Sequence, residues 1–308
     1  MATVAVLAPS CRSGSIPPPS SRPVGRAVAR LASEGIRVVF GDRLMLRGGK
    51  VTMDGMEVAG DEWRQVAAEG HAIHDRYPSQ NRWQSYAEML ENRGELPFAN
   101  DPAVTALCRD KLACQRWLES QGVPMPEVLS EPALFSGKLQ EWGGGYVKPR
   151  YGAMGVGVTL LAAEGAAPAS VMGAAGRMEP AILQRPVPPP PGWAGASMRI
   201  LAQRAGGREW LVRPGGLRRS REDPVVNAAR GAEVLPASAG LPGETVQEAV
   251  RLVRRACNAI SLAEGGSLAA EIGVDLVVDS ELRPWIIEVN SRPRGRLESL
   301  AAMDPSRF

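Results

Sequence analysis

Apolar residues fall in short runs along this chain, and their spacing changes from one segment to the next. Thr3–Ala8 is a compact apolar run that predicts a strand, followed by a Ser/Pro/Gly-rich loop from Pro9 to Pro23. Val24–Ser33 has helical spacing, Gly35 stops it, and Ile36–Phe40 is a second strand, which makes one strand–helix–strand unit of an α/β domain. Leu44–Val58 reads as hairpins with Gly48-Gly49 and Asp54-Gly55 as turns. Asp61–Glu69 is polar with Trp63 and Val66 three apart, which predicts a helix; Ser85–Asn92 predicts another, and Leu96–Asp101 a connector.

A new unit begins near Asn100. Asp110–Gln121 is an amphipathic helix with Leu112, Trp117 and Leu118 toward the core and Gly122 as its stop. Pro124 and Pro126 force an extended segment. Strands are expected at Tyr146–Pro149, at Val158–Leu161 beyond a glycine-rich loop, and at Ala181–Val187 before the stiff run Pro188–Pro191. Met198–Arg204 and Glu209–Arg213 flank Gly206-Gly207 as a hairpin. Thr245–Ile260 carries Val246, Val250, Val253, Cys257 and Ile260 at helical spacing, and Ile272–Asp279 and Pro284–Asn290 form a final strand pair. There is no internal repeat. The expected division is 1–98, 99–186 and 187–308.

Length and composition narrow the class. At 308 residues the chain is long for a single core. Its 44% hydrophobic and 22% charged residues are ordinary for a globular protein, and a net charge of +3 gives no case for nucleic acid. Cys11, Cys108, Cys114 and Cys257 have no zinc or redox spacing, which suits free thiols in a reducing cytoplasm. No run reaches membrane-span length, and the N-terminus lacks the basic start of a signal peptide.

The candidate chemistry starts in the last strand pair. Glu288 and Asn290 interrupt the apolar run Trp285–Val289 and lie two apart, so they share one strand face. Trp285, Ile287 and Val289 then make the core side, with Ile286 on the face of Glu288 and Asn290. Counting outward from a turn at Ser280–Arg283 sets Asp275 directly opposite Glu288. Like charges across a ladder repel. A divalent cation reverses the sign, and hard oxygen donors favour Mg²⁺ or Mn²⁺ completed by water and phosphate oxygens. The plainer alternative is a half-exposed strand whose carboxylates face solvent.

Lys148 precedes the loop Gly152, Ala153, Met154, Gly155 and Gly157. Glycines let backbone N–H groups approach a phosphate, and a lysine beside such a loop supplies a point charge. The spacing is neither a Walker A nor a Rossmann fingerprint. Lys111, near the start of its helix, is a second candidate.

In this order — DKL with Lys111, VKPRYGAMGVGV with Lys148, ILQRPV, then EIGVDLVVDSELRPWIIEVNSRP — the chain resembles the ATP-grasp superfamily, an α/β (α+β) fold. With MRI and VVNAARGA it is most similar to the YheC/YheD-type, spore-coat-associated branch, with glutamate-ligase-like proteins next. The resemblance covers about two thirds of the chain, from near Asn100 onward; residues before it would form a variable N-terminal domain. It implies ATP bound between two antiparallel sheets, with Lys111 and Lys148 on its phosphates and the glycine loop closing as a lid. Gln184, Arg185 and Val187 would meet the adenine, with Gln184 standing where many relatives have Glu. Asp275, Glu288 and Asn290 would hold Mg²⁺. The activity implied is ligation of a carboxylate to an amine through an acyl phosphate, on an anionic amino-acid-like or peptide-like substrate. The alternatives are a non-catalytic coat-type protein and an ATP-grasp kinase. A homodimer is left open.

Seven arginines lie between Arg199 and Arg221 with only Glu209 as a counter-charge. Arginine's planar fork suits phosphate and carboxylate. By the resemblance Arg199, Arg218 or Arg219, and Asn227 would face the reacting phosphate, and Arg292 and Arg294 would begin the substrate end. Arg204, Arg208 and Arg221 read as solvated. His71 and His74 lack a third ligand and read as solvated helix positions; Cys108 and Cys114 read as packing residues.

Overall fold

The computed structural model describes residues 2–7, 23–41, 44–75, 91, 94–152, 155–164, 180–204, 209–226 and 231–293. The chain divides into two units. One takes residues 1–104, 264–271 and 292–308; the other takes 105–263 and 272–291.

The first unit is built on one sheet. Strands β1 (Ala2–Leu7) and β2 (Ile36–Gly41) run parallel, joined through helix α1 (Pro23–Ser33) as the apolar runs predict. The short strands β3 (Met45–Arg47), β6 (Ala72–Asp75) and β7 (Phe98–Ala99) and the long β4 (Lys50–Ala59) complete the order β3-β4-β2-β1-β6-β7, with β5 (Glu62–Gly70) also on β4. Alternation along β1 and β2 gives the sheet two apolar faces. Val6 and Val38 pack with Val28 of α1. Ala5, Leu7 and Val39 pack with Val51, Met53, Ala68, Ile73 and Phe98.

Two expectations fail here. Asp54-Gly55 is not a turn but runs through β4, because β4 crosses β2 at this point. A Cβ on Gly55 would stand 2.2 Å from the Phe40 carbonyl oxygen, so glycine serves close backbone approach. Asp61–Glu69 is not a helix but strand β5, paired with β4 from Ala59↔Glu62 to Val51↔Gly70 around Gly60 at φ +66°. Trp63 packs edge-on against Phe40 of β2, with centroids 5.7 Å apart. A polar hairpin arm and a polar helix look alike until the partner strand is known. The histidines follow suit: His74 lies on β6 with Nε2 3.1 Å from Glu271 Oε1, and His71 Nδ1 accepts from the Thr3 amide. The expected helix Ser85–Asn92 lies almost wholly outside the described residues, as does the Pro9–Pro23 loop.

The second unit holds two antiparallel sheets. One is ordered β10-β9-β11-β8, from β8 (Val128–Leu129), β9 (Gly144–Pro149), β10 (Thr159–Ala162) and β11 (Ala181–Gln184). Its inner face (Val147, Ala181, Leu183) packs on Phe135 and Leu139 of a helix the sequence pattern did not reveal, Pro132–Trp142. That helix has no side-chain cap, a glycine in its middle and only two buried side chains, so its periodicity is faint. Ahead of it stand α2 (Pro102–Arg109) and α3 (Lys111–Ser120), which makes it α4. In α3, Leu112 and Leu118 are buried, and half-buried Trp117 donates its indole N–H to the Ala259 carbonyl.

The other sheet is ordered β14-β13-β12-β15-β16, from β12 (Gly195–Gln203), β13 (Leu211–Ser220), β14 (Glu233–Pro236), β15 (Glu271–Val278) and β16 (Pro284–Asn290). Helix α5 (Gly243–Leu262) lies against it and buries Ala249, Val253, Ala256, Cys257 and Ile260 along one stripe. The turn expected at Gly206-Gly207 lies outside the described residues. Between β12 and β13 the register shifts past Arg199: Arg199 pairs with Gly216, but Leu201 pairs with Arg213. The extra residue falls at Pro214-Gly215, a β-bulge. A Cβ on Gly215 would sit 1.7 Å from the Arg199 carbonyl oxygen.

Gly215→Ala is therefore expected to cost roughly 3 kcal/mol, the upper end for forced overpacking. Gly137→Ala, exposed in α4 with nothing within 4 Å of the added Cβ, is expected to gain about 0.5–1 kcal/mol from helix propensity. Urea unfolding midpoints at constant slope check both.

Candidate functional site

Asp275 and Glu288 are direct partners across β15 and β16, as are Gly273 and Asn290. The expected pairing is present, but by a different route. The hairpin closes with the Asp279 amide donating to the Arg283 carbonyl, and Val278 pairs with Pro284. That register alone would miss Glu288 by one residue. A bulge then intervenes: Leu276 pairs with Ile286, Asp275 with Glu288, and Ile287 is the extra residue. The expected core side is corrected with it. Ile286 and Val289 are the buried pair, while Trp285 and Ile287 are half-buried. The bulge turns the strand over by one step, so Ile286 faces the core and Glu288 does not.

The acidic pair sits among cations. Arg199 of β12 forks onto Asp275: Nε donates to Oδ1 at 2.6 Å and Nη2 donates to Oδ2. Asn290 Nδ2 donates to Asp275 Oδ2 at 3.1 Å. Lys111 Nζ lies 3.6 Å from Glu288 Oε1 and donates to the Gly152 carbonyl at 2.6 Å. Lys148, buried on β9, donates to Gln184 Oε1, and Gln184 in turn donates to Gln115 at 3.3 Å. Burial pushes the Glu288 carboxyl up, and Asp275 adds to the rise; Lys111 pulls against both. Burial brings the Lys148 ammonium down to about 8, against the pull of Glu288. Burial also works against the Arg199 charge, but Asp275 and then Glu288 outweigh it and raise its pKa.

Asp110 ties the glycine-loop strand to the lysine helix. Its side chain caps α3 by accepting from the Leu112 and Ala113 amides at 3.1 Å each. It also accepts from Arg150 Nε and Nη2 at 2.8 and 2.6 Å, and from the Tyr151 hydroxyl at 3.2 Å. Gly152, Gly155 and Gly157 all have positive φ, a backbone that side chains resist. Ala153, Met154, Asn227 and Arg294 lie outside the described residues.

The remaining candidates separate by register. Arg218 is buried and pairs with Ser197, two residues from Arg199 on β12, so it shares the face of the acidic pair. The Ser197 hydroxyl is buried there with no hydrogen-bond partner. Arg219 points to the other face, forks onto Glu233 and lies 4.2 Å over the Trp193 ring. Arg185 is exposed, its amide donating to the Glu127 carbonyl at 2.9 Å, and Val187 is half-buried. Arg292 belongs to the first unit, where Nη2 lies 2.7 Å from Asp75 Oδ2. Asp110, Arg150, Gln115 and Ser197 were not singled out from sequence. Only Asp110 had a signal, as an acidic residue directly before a helix.

Arg199 and Lys111 thus pair with the two carboxylates, and Lys148 of the other sheet adds a third positive charge that acts on Glu288, an excess suited to an anionic ligand. Among the described residues no group of three His, Cys, Asp or Glu side chains gathers at a point. Two opposed carboxylates and an amide fit Mg²⁺ that shares its shell with phosphate and water, and do not fit a closed protein cage.

No curated protein matches the chain. Residues 196–305 match the family described as YheC/D-like ATP-grasp. Among solved structures, D-alanyl-alanine synthetase A from Vibrio cholerae is similar at TM-score 0.61 and 14% identity, over 95% of this chain and 89% of that one. The macrocyclase MdnC from Microcystis aeruginosa, bound with precursor peptide MdnA, is similar at TM-score 0.57 and 15% identity, over 99% and 96%. Carboxyaminoimidazole ribonucleotide synthase from Aspergillus clavatus, complexed with ATP, is similar at TM-score 0.58 and 13% identity, over 96% and 71%. The fold is that of the ATP-grasp proteins, and the resemblance to the YheC/D type stands. No helix among the described residues is long and apolar enough to cross a membrane.

The depressed Lys148 pKa has a consequence for stability. The folded chain gives up this proton near pH 8 and the unfolded chain near 10.5, so between those values the unfolded state binds more protons and stability rises with pH. Lys148→Met is expected to be the more stable protein below pH 8. Its advantage should shrink as pH rises toward 10.5, read from urea midpoints across that range.

Proposed function

We propose that the protein is an ATP- and Mg²⁺-dependent ligase that joins a carboxylate to an amine. The observation that carries this is the Asp275–Glu288 pair across β15 and β16, with Arg199 on Asp275, Lys111 beside Glu288 and Lys148 close enough to act on Glu288. The names of the similar structures support it, since they include a D-alanyl-alanine synthetase, a peptide macrocyclase and a synthase complexed with ATP.

In this proposal Lys111 and Lys148 neutralise the phosphates, and Gly152, Gly155 and Gly157 let backbone N–H groups approach them. Gln184, Arg185 and Val187 lie along the adenine. Asp275, Glu288 and Asn290 hold Mg²⁺, which when bound draws charge from the transferring phosphoryl group. Arg199 and Arg218 stabilise that group from the neighbouring strands. A substrate carboxylate oxygen attacks the γ-phosphorus as the bond to ADP breaks. The amine then attacks the resulting acyl phosphate, inorganic phosphate leaves, and an amide forms. The chain's own part is positioning and charge neutralisation. An anionic amino-acid-like or peptide-like substrate suits the positive excess. Arg219 is assigned to packing with Glu233 and Trp193, and Arg292 to its ion pair with Asp75.

The test is ADP release on a panel of amino acids and short peptides, with calorimetric binding of MgATP. Asp275→Asn and Glu288→Gln are each expected to cut turnover roughly 100-fold, equivalent to about 3 kcal/mol of transition-state stabilisation. Mg²⁺ dependence unchanged in both variants would overturn the site. A stable phosphoester product would point to a kinase, and nucleotide binding without turnover to a non-catalytic protein.

A further inference from the structure

A metal carboxylate should present its oxygens to the ion it receives. Asp275 does not. Both of its oxygens accept from Arg199, and Oδ2 also accepts from Asn290. The fork is largely enclosed, with side chains 23% and 12% exposed for Arg199 and Asp275. An enclosed, two-point charged pair is much stronger than a surface one. Glu288 carries a cation too, since Lys111 lies 3.6 Å away.

A bare divalent cation arriving here meets positive charge already in place. To reach Asp275 it must displace a guanidinium that would be left enclosed without the carboxylate it is hydrogen-bonded to. Truncating or stranding one partner of such a pair is costly. A cation that arrives with a triphosphate changes the balance, because the phosphate oxygens give Arg199 and Lys111 new acceptors as the carboxylates are released. The residue opposite Arg199 on β13 is Gly216, which brings no side chain of its own to that position.

We infer that Arg199 acts as a latch on Asp275, so that the site takes a divalent cation only together with a nucleotide. This makes Arg199 a specificity-determining residue for the form in which the metal enters. It rests on the nucleotide–metal reading above and extends it. Ion pairs are exchanged rather than lost, so the fold need not pay twice for burying the charges.

The experiment is Mn²⁺ binding to the full chain, read from the loss of the free-ion electron paramagnetic resonance signal. Wild type, Arg199→Ala and Arg199→Lys are each titrated with and without a non-hydrolysable ATP analogue. Without nucleotide, wild type is expected to bind Mn²⁺ at least tenfold more weakly than with the analogue. Arg199→Ala should bind it without nucleotide at least tenfold more tightly than wild type, and adding Asp275→Asn to that variant should abolish the gain. Arg199→Lys, which keeps the charge but not the fork, should fall between. Equal nucleotide-free affinity in wild type and both Arg199 variants would overturn the latch, while analogue-dependent Mn²⁺ uptake would leave the metal reading standing. Absence of Mn²⁺ uptake in every protein with the analogue would sink the metal reading and the latch with it.

Discussion

Two carboxylates facing each other across an antiparallel ladder repel, and the candidate site is organised around that repulsion. Asp275 and Glu288 cannot be moved apart without breaking the β15–β16 register. The chain instead brings cations to them: Arg199 from the adjacent strand, Lys111 from the start of a helix and Lys148 from the other sheet. Burial raises the charge-neutral form of Glu288 and Lys148 alike, so each group relies on the others to stay ionised. A site held this way is prepared to trade one set of ion pairs for another.

The supporting structure exists to keep these groups in place. The bulge at Pro214-Gly215 sets β13 tight against the Arg199 backbone, and Gly216 is the residue paired with Arg199. Asp110 joins the cap of the lysine helix to Arg150 ahead of the glycine loop, while Lys111 donates its amide to the Arg150 carbonyl and its ammonium to the Gly152 carbonyl. Gln115 and Gln184 relay that order to Lys148. These contacts are short-range and geometrically demanding, and they favour a stiff frame around the charged face.

Much of the candidate site was legible before any fold was known, because its residues lie in motifs with a physical meaning at short range. A lysine before a glycine-rich loop and a Glu-x-Asn inside an apolar strand each violate the local pattern in a way that chemistry explains. The first unit was less legible. β5 is polar on its exposed side and half-polar on the other, so its strand character comes from the nine-residue pairing with β4 and not from its own residues. Arg218 and Arg219 were equivalent in sequence and are opposite in space, since one step along a strand changes the face.

The sequence by itself determined which residues could form an acidic face, a cationic loop and their supporting strands, because side-chain type and two-residue spacing are local properties. It also placed Asp275 against Glu288, although the true hairpin is offset by one and a bulge at Ile287 restores the match. Only the tertiary structure decided that Ile286 and Val289 are both core and that Asp275 is engaged by Arg199. It likewise decided that Arg292 pairs with Asp75, 217 residues earlier in the chain. Bulges and long-range ion pairs depend on how one strand meets another, and no spacing within a single strand records that.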